Sequence, residues 1–328
     1  MQKNVLVTGG YGFIGSNFVN FLLKNEDYKI TVFDKLTYAS NLKNIESDNI
    51  RFIRGDLYNK NEIENALKDV DIIVNFAAES HVDRSIINAH DFLNSNVYGV
   101  YNILNYMKEN RNIEKFIHIS TDEVYGNALN KKFDENSCLN PNNPYSATKA
   151  SADLLILSYF KTYGIPVSIT RSSNNYGPYQ HPEKLIPKTI VYALLNKNIP
   201  IYGNGKNRRD WLYVDDNIKG IMKVMTNGDS GEVYNIGSEF ELENIEMVKK
   251  ILQIMNKPDS MIKYVNDRPG NDLRYSLDSS KLNKLGFKPE VNITTGLNKT
   301  IEWYKNNKRW WKNYLNNIDL YNKFINYK

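Results

Sequence analysis

Thr121, Asp122 and Glu123 follow directly on the apolar run Phe116-Ile117-His118-Ile119, so a hydroxyl and two adjacent carboxylates stand where a strand ends. In a parallel sheet that end opens into the crevice where ligands bind, which places such side chains to react. Two carboxylates can act as acid and base together only if their surroundings hold their pKa values apart. Downstream, Pro144-Tyr145-Ser146-Ala147-Thr148-Lys149 sets a phenol and an ammonium four residues apart, in a stretch that reads as helix through Tyr163. Residues at that spacing share a helix face, and a neighbouring positive charge favours phenolate. A tyrosine tuned in this way can take a proton near neutral pH. Taken alone, the pair reads more readily as a Tyr and a Lys on the surface of an ordinary helix. The elements upstream favour the chemical reading.

Asn4 to Thr8 reads as a strand, followed at once by Gly9-Gly10-Tyr11-Gly12-Phe13-Ile14-Gly15 and then an amphipathic helix from Asn17 to Lys24. Glycines at 9, 12 and 15 between a strand and a helix let the backbone approach a pyrophosphate, whose charge sits against the helix N-terminus. The strand Lys29 to Phe33 ends in Asp34, placed to accept hydrogen bonds from an adenosine ribose; this favours NAD over NADP, although the adjacent Lys35 could attract a 2′-phosphate. Ile50 to Ile53 is a third strand, with Gly55-Asp56-Leu57 where an adenine would be met. Asp71 to Phe76 is a fourth, running into the small residues Ala77 and Ala78 and then Glu79, Ser80 and His81. Ser80 is a candidate substrate contact and His81 a structural residue.

Ser95 to Met107 and the Tyr145 segment read as helices, and Pro166 to Thr170 as a strand. Arg171 to Pro178 then reads as a polar turn. The alternation of strand and helix indicates an α/β, Rossmann-like doubly wound parallel sheet. Beyond it the pattern loosens, with a helix from Lys184 to Leu195, an extended piece at Pro200 to Gly203, strand and helix again from Leu212 to Met225, and an aromatic-rich helix from Leu297 to Trp311. The expected division is residues 1–172 plus about 212–237 for the dinucleotide and about 173–211 plus 238–328 for a smaller, interleaved α/β substrate domain. Lys184, Arg209 and Arg268 are candidates to hold a diphosphate, since a guanidinium can make paired bonds to phosphate oxygens.

Composition limits the alternatives. Of 328 residues 41% are hydrophobic and 24% charged, as in globular proteins. A net charge of +5 without a basic tract does not suggest nucleic acid. No apolar run approaches the ~20 residues of a membrane span, and none resembles a secretory leader, so a cytoplasmic protein is expected. Cys138 is the only cysteine, and four scattered histidines lack metal-ligand spacing. No metal is expected.

These motifs together resemble the extended short-chain dehydrogenase/reductase superfamily and, within it, the dTDP-glucose 4,6-dehydratases. The resemblance covers nearly the whole chain: Thr8 to Gly15, Asp34 to Ala39, Ala77 to Ser85, Thr121-Asp122-Glu123, Tyr145 to Lys149, Ser173 to Pro178 and Arg268-Pro269-Gly270. Thr-Asp-Glu discriminates best, because related GDP-mannose dehydratases carry Thr-Ser-Glu. The resemblance implies that Tyr145 and Lys149 oxidise C4 of the sugar onto NAD with Thr121 orienting the hydroxyl. Glu123 then takes the C5 proton and Asp122 protonates the departing C6 hydroxyl. It implies cofactor contacts from Gly9, Gly12, Phe13, Ile14, Gly15, Asp34, Lys35, Leu36, Thr37, Asp56, Leu57, Phe76, Ala77, Ala78, Ser80, Ser95, Tyr145, Lys149 and Asn175. Beside Ser80 and the Thr-Asp-Glu triplet, a dTDP-glucose substrate would meet Asn174, Lys184, Leu185, Pro200, Ile201, Tyr202, Arg209, Asn244, Asp267, Arg268, Asn271 and Tyr275. A homodimer built from the Ser95 and Tyr145 helices is implied as well. Asn271 and Ser40 depart from residues common in the family, His and Gly respectively. A 4-epimerase or a dehydratase for another nucleotide sugar is the nearest alternative, and a silent dinucleotide-binding protein the more distant one.

Overall fold

The computed structural model describes residues 2–315. Its strands are β1 (Lys3–Thr8), β2 (Tyr28–Asp34), β3 (Ile50–Arg54), β4 (Ile72–Asn75), β5 (Lys115–Thr121), β6 (Val167–Ser172), β7 (Asn174–Tyr176), β8 (Ile199–Tyr202), β9 (Arg208–Tyr213), β10 (Glu232–Ile236), β11 (Glu241–Glu243) and β12 (Ile262–Val265). Seven of them pair in the order β10-β6-β5-β4-β1-β2-β3, and every ladder of that sheet is parallel. The chain winds one way from β1 to β3 and the other way from β4 to β10. The crevice therefore opens where β1 and β4 part, beyond their carboxyl ends.

Alternation along the strands fills both faces. Val5, Val7, Val32 and Ile117 pack with the helices Phe13–Leu22 and Val214–Asn227 on one side, while Leu6, Phe33, Ile73 and Phe116 meet the helices Lys60–Ala66, Gly99–Glu109 and Pro144–Tyr163 on the other. A sheet covered on both faces is apolar almost throughout, which explains why its strands read as continuous hydrophobic runs. The Pro144–Tyr163 helix has clear signals at both ends. The Asn143 side chain accepts from Ser146 N at 2.9 Å, Pro144 occupies the first turn, and Gly164 closes the helix with φ 67°.

The remaining strands form a three-stranded sheet, β11-β9-β7, and a parallel pair, β8 with β12. Around them Tyr176, Ile190, Ile251, Leu297, Tyr304 and Trp311 form a second core. The structure departs from the sequence reading in three places. Arg171 to Pro178 is not a simple turn but the end of β6 and the strand β7. The first helix begins at Phe13, directly on the glycine turn, and the aromatic C-terminal helix breaks at Asn307 into Ile293–Asn306 and Lys308–Lys312. The expected second unit extends to residue 328, of which 316–328 lie outside the described residues.

A buried ion pair ties the Pro144–Tyr163 helix to the sheet. Arg171 Nε donates to Asp153 Oδ2 at 2.8 Å and its Nη1 to the Tyr125 hydroxyl at 2.8 Å. Removing one partner of such a pair strands the other charge, at a cost of about 3–5 kcal/mol. Asp153→Ala is expected to lose about that much stability in urea unfolding, and Asp153→Asn, whose amide oxygen still accepts, to lose less.

Candidate active site

Where β1 turns into the first helix, Gly9 has φ +66° and approaches β4 so closely that a Cβ would lie 2.6 Å from Ala77 N; a Cβ on Gly15 would lie 2.3 Å from Gly9 O. The turn is thus pressed flat, and the helix N-terminus faces the crevice. Every residue expected to face the cofactor lines this cavity except Leu36 and Asn175. Leu36 donates its N–H to Asp34 Oδ1 at 2.7 Å and packs on the core beneath, whereas Asn175 lines a second, adjoining cavity. Asp34 is buried and also accepts from Tyr11 N at 2.9 Å and Ser40 Oγ at 2.9 Å. Burial nevertheless raises its pKa against the pull of these donors. Lys35 Nζ sits 2.6 Å from Asp56 Oδ2. Its charge is engaged there, which removes the main argument for a 2′-phosphate.

The reacting groups meet at the carboxyl end of β5. Thr121 caps the short turn Asp122–Tyr125, accepting Glu123 N at 3.3 Å and donating to Asp122 Oδ1 at 3.2 Å. Asp122 is 2% exposed and lies behind the cavity walls, not on them. Burial first, then the nearby Glu123 and Asp210, raise its pKa well above the ordinary carboxylate range, so it keeps its proton. Glu123 lines the second cavity and receives Ser146 Oγ at 3.1 Å. A buried acid and a carboxylate open to ligand are therefore neighbours in the chain.

Tyr145 lines the first cavity, and its backbone N–H donates to Ser85 Oγ at 3.1 Å. Its phenol departs from the sequence expectation, because burial and then Glu123 push its pKa up. The reason is visible at Lys149, whose Nζ is drawn inward to Ile119 O at 2.7 Å and to His118 Nε2 at 3.1 Å. Burial lowers Lys149 to about 8, against the opposing pull of Asp153.

The second cavity gathers Asn174, Lys184, Leu185, Pro200, Ile201, Tyr202, Arg209, Asn244, Arg268 and Asn271 with Glu123. Arg209 stacks over the Tyr275 ring at 4.3 Å and donates to Asp272 O at 2.8 Å and Asn271 Oδ1 at 3.2 Å. Arg268 meets Asp83 at 3.3 Å, and Lys184 Nζ donates to Ser80 O at 2.9 Å. Asp267 and Tyr275 support this wall without lining it: Asp267 Oδ1 accepts from Asn271 Nδ2 at 2.7 Å, and Tyr275 donates to Asp272 at 2.6 Å. Buried Asn174 Oδ1, Asn244 Oδ1 and Arg268 Nε have no hydrogen-bond partner among the described residues. Such orphaned polar atoms on a cationic wall suit a polar, anionic ligand.

The sequence reading missed Glu183, which lines both cavities and lies 3.4 Å from His81 and 3.5 Å from His181. No motif spacing marks it. Lys188, on the second cavity wall one turn beyond Lys184, was open to discovery from the four-residue spacing on the Leu185–Leu194 helix.

The sheet, the glycine turn and the Tyr-Lys pair are those of the extended short-chain dehydrogenase/reductase superfamily. Within it the chain belongs to the family described as GDP-mannose 4,6 dehydratase, whose model matches residues 6–300. The low-salt glycan biosynthesis protein Agl12 of Haloferax volcanii is 48% identical, over 92% of this chain and 98% of its own length. A dTDP-glucose 4,6-dehydratase of Streptomyces niveus is 45% identical, over 94% of each. Among solved structures DesIV, the dTDP-glucose 4,6-dehydratase of Streptomyces venezuelae with NAD bound, superposes with a TM-score of 0.92 at 43% identity, covering 94% of this chain and 99% of that one.

The close approach at the glycine turn gives a direct test of the first cavity. Gly15→Val is expected to strip bound dinucleotide from the purified protein while leaving its circular dichroism unchanged. Retention of cofactor after dialysis would contradict the placement.

Proposed function

We propose that this chain is an NAD-dependent hydro-lyase that converts dTDP-glucose to its 4-keto-6-deoxy product. The observation that carries the reading is the split pair at the end of β5, with Asp122 buried, which raises its pKa, while Glu123 faces the second cavity. An epimerase at C4 has no use for an acid and a base at C5 and C6. The dehydratase relatives support the same activity and the same nucleotide. The first cavity fits NAD, given its flattened glycine turn, Asp34 at the ribose position and Lys35 paired with Asp56.

Bound there, NAD supplies a reversible hydride acceptor that is regenerated within each turnover. In its phenolate form, which the Lys149 charge below favours against the pull of burial, Tyr145 takes the proton of the C4 hydroxyl, which Thr121 orients. The C4 ketone acidifies C5. Glu123 then removes the C5 proton, and Asp122 gives its proton to the C6 hydroxyl as it leaves as water. When the hydride returns to C6, Glu123 returns the proton to C5. Arg209, Arg268, Lys184 and the Asp267 to Asn271 turn hold the nucleotide diphosphate. Asn271, uncharged at every pH, bridges Arg209 and Asp267 through its amide.

We further divide the chain into a dinucleotide unit, 1–172 plus about 212–237, and a nucleotide-sugar unit built from the rest. Leu93, Tyr98, Tyr101 and Leu154 are exposed on and beside the Gly99–Glu109 and Pro144–Tyr163 helices, a face suited to a second copy. A cytoplasmic, homodimeric enzyme completes the proposal; a light-scattering mass of one chain would remove the dimer.

The roles separate in single-turnover absorbance of reduced nicotinamide. Asp122→Asn is expected to form the C4 ketone with lasting reduction of NAD and little water loss. Tyr145→Phe should give no reduction, and wild-type turnover in either variant would contradict the assignment. Because Lys149 loses its charge as pH rises through about 8, the C4 oxidation rate should fall on the alkaline side of that value. A flat profile to pH 10 would deny Lys149 that electrostatic part.

A further inference from the structure

Strand pairing lines up three polar side chains beneath the crevice, and their donors and acceptors can be counted. Thr8 of β1, Asn75 of β4 and His118 of β5 stand in register, all buried. The Thr8 hydroxyl oxygen accepts from Ala77 N at 3.4 Å, and its one proton goes to Asn75 Oδ1 at 2.5 Å. That leaves the Asn75 amide nitrogen to donate to His118 Nδ1 at 3.0 Å. Turning the amide over would set a donor against Thr8 and strand the buried hydroxyl proton.

An imidazole nitrogen that accepts carries no proton. His118 is fully buried, and burial first, then Lys149, hold its pKa well below the usual histidine value. The ring is therefore neutral, with its single proton on Nε2. That N–H faces Lys149 Nζ at 3.1 Å. An ammonium has three protons and no lone pair, so it cannot accept there, whereas an uncharged amine can. Lys149 keeps Ile119 O as an acceptor at 2.7 Å in either form. The contact with His118 thus favours the uncharged lysine.

We propose that Thr8 and Asn75 fix the His118 proton on Nε2, which makes His118 the positioning residue that governs the charge on Lys149. The other groups around the lysine are few. Asp153, four residues along the same helix, favours charge on Lys149. Its Oδ2 accepts from Arg171 Nε of β6 at 2.8 Å, and its Oδ1 lies 4.0 Å from His118 Nε2, beyond hydrogen-bond reach. Tyr145, four residues earlier, carries charge only as phenolate. Burial and the His118 N–H act together against Asp153, and Lys149 falls to about 8. A polar row within the sheet therefore sets how far into alkali the site keeps the positive charge that favours phenolate.

The kinetic consequence rests on the role given to Lys149 above, and the test separates the two. In full-length protein saturated with NAD and labelled with nitrogen-15 histidine, long-range proton–nitrogen NMR reads which ring nitrogen holds the proton. The His118→Gln spectrum identifies the signal among the four histidines. The proton should sit on Nε2 both one pH unit below and one above the Lys149 value of about 8. A proton on Nδ1 at the lower pH would overturn the proposal. The Lys149 titration is read from the side-chain carbon-13 shift of labelled lysine, assigned with Lys149→Met. In His118→Gln the amide can turn its oxygen to the ammonium, so that titration should move up by about one pH unit, a tenfold change in the proton equilibrium. No movement, or movement down, means that His118 already accepts from Lys149 and the proposal is wrong. Should His118→Gln not fold, Thr8→Val, which releases the Asn75 amide to turn, must move the proton to Nδ1 and raise the Lys149 titration, with Thr8→Ser behaving as wild type, or the proposal falls. If the NMR results hold while wild-type C4 oxidation is flat in pH, the role of Lys149 in the reaction fails and the assignment of the His118 proton stands.

Discussion

Lys149 is held at Ile119 O and His118 Nε2, at 2.7 and 3.1 Å, and this contact fixes the Pro144–Tyr163 helix against β5 where the reacting groups converge. The helix carries Tyr145 and the strand carries Thr121, Asp122 and Glu123, so their relative placement depends on this joint. The strand ladders extend it. Thr8 pairs in register with Asn75, and Asn75 with His118, across β1, β4 and β5. Their side chains join in a buried row, the Asn75 amide 2.5 Å from Thr8 Oγ1 and 3.0 Å from His118 Nδ1. Polar groups buried in a parallel sheet are costly unless they satisfy one another, and here they end on a lysine that needs an acceptor.

From that joint the electrostatics of the site follow. Lys149 is pulled beneath the crevice, and burial raises the pKa of the Tyr145 phenol above it. The two carboxylates differ because one points into protein and the other into a cavity, not because their types differ. Asp122 lies among buried groups that include Asp210, itself raised to about 6 by burial. Glu123 receives a serine hydroxyl and lines the cavity that holds the arginines. An acid and a base thus occupy consecutive positions of one strand end.

Much of this was legible in the sequence because local patterning and global fold agree. The glycine turn, Asp34, the apolar run before Thr121 and the Tyr-Lys spacing each fix a strand end or a helix face, and the sheet places them around one crevice. What the sequence could not reveal depends on contacts between distant segments. Asn175 is a strand residue whose surroundings come from β9 and the Leu185–Leu194 helix, so its cavity could not be read locally. Glu183 takes its place through contacts with His81 and Tyr38, both in loops far upstream in the sequence. The inward pull on Lys149 likewise comes from a histidine within β5 that reads as part of an apolar strand.

The central claim is internal hydride return between two carbons of one substrate. The most direct measurement is positional NMR, with mass spectrometry, of the product formed from dTDP-glucose carrying deuterium at C4. Loss of one water with the deuterium on C6 is the predicted result. Recovery of dTDP-galactose without loss of water, or a dehydrated product with its label gone, would contradict it.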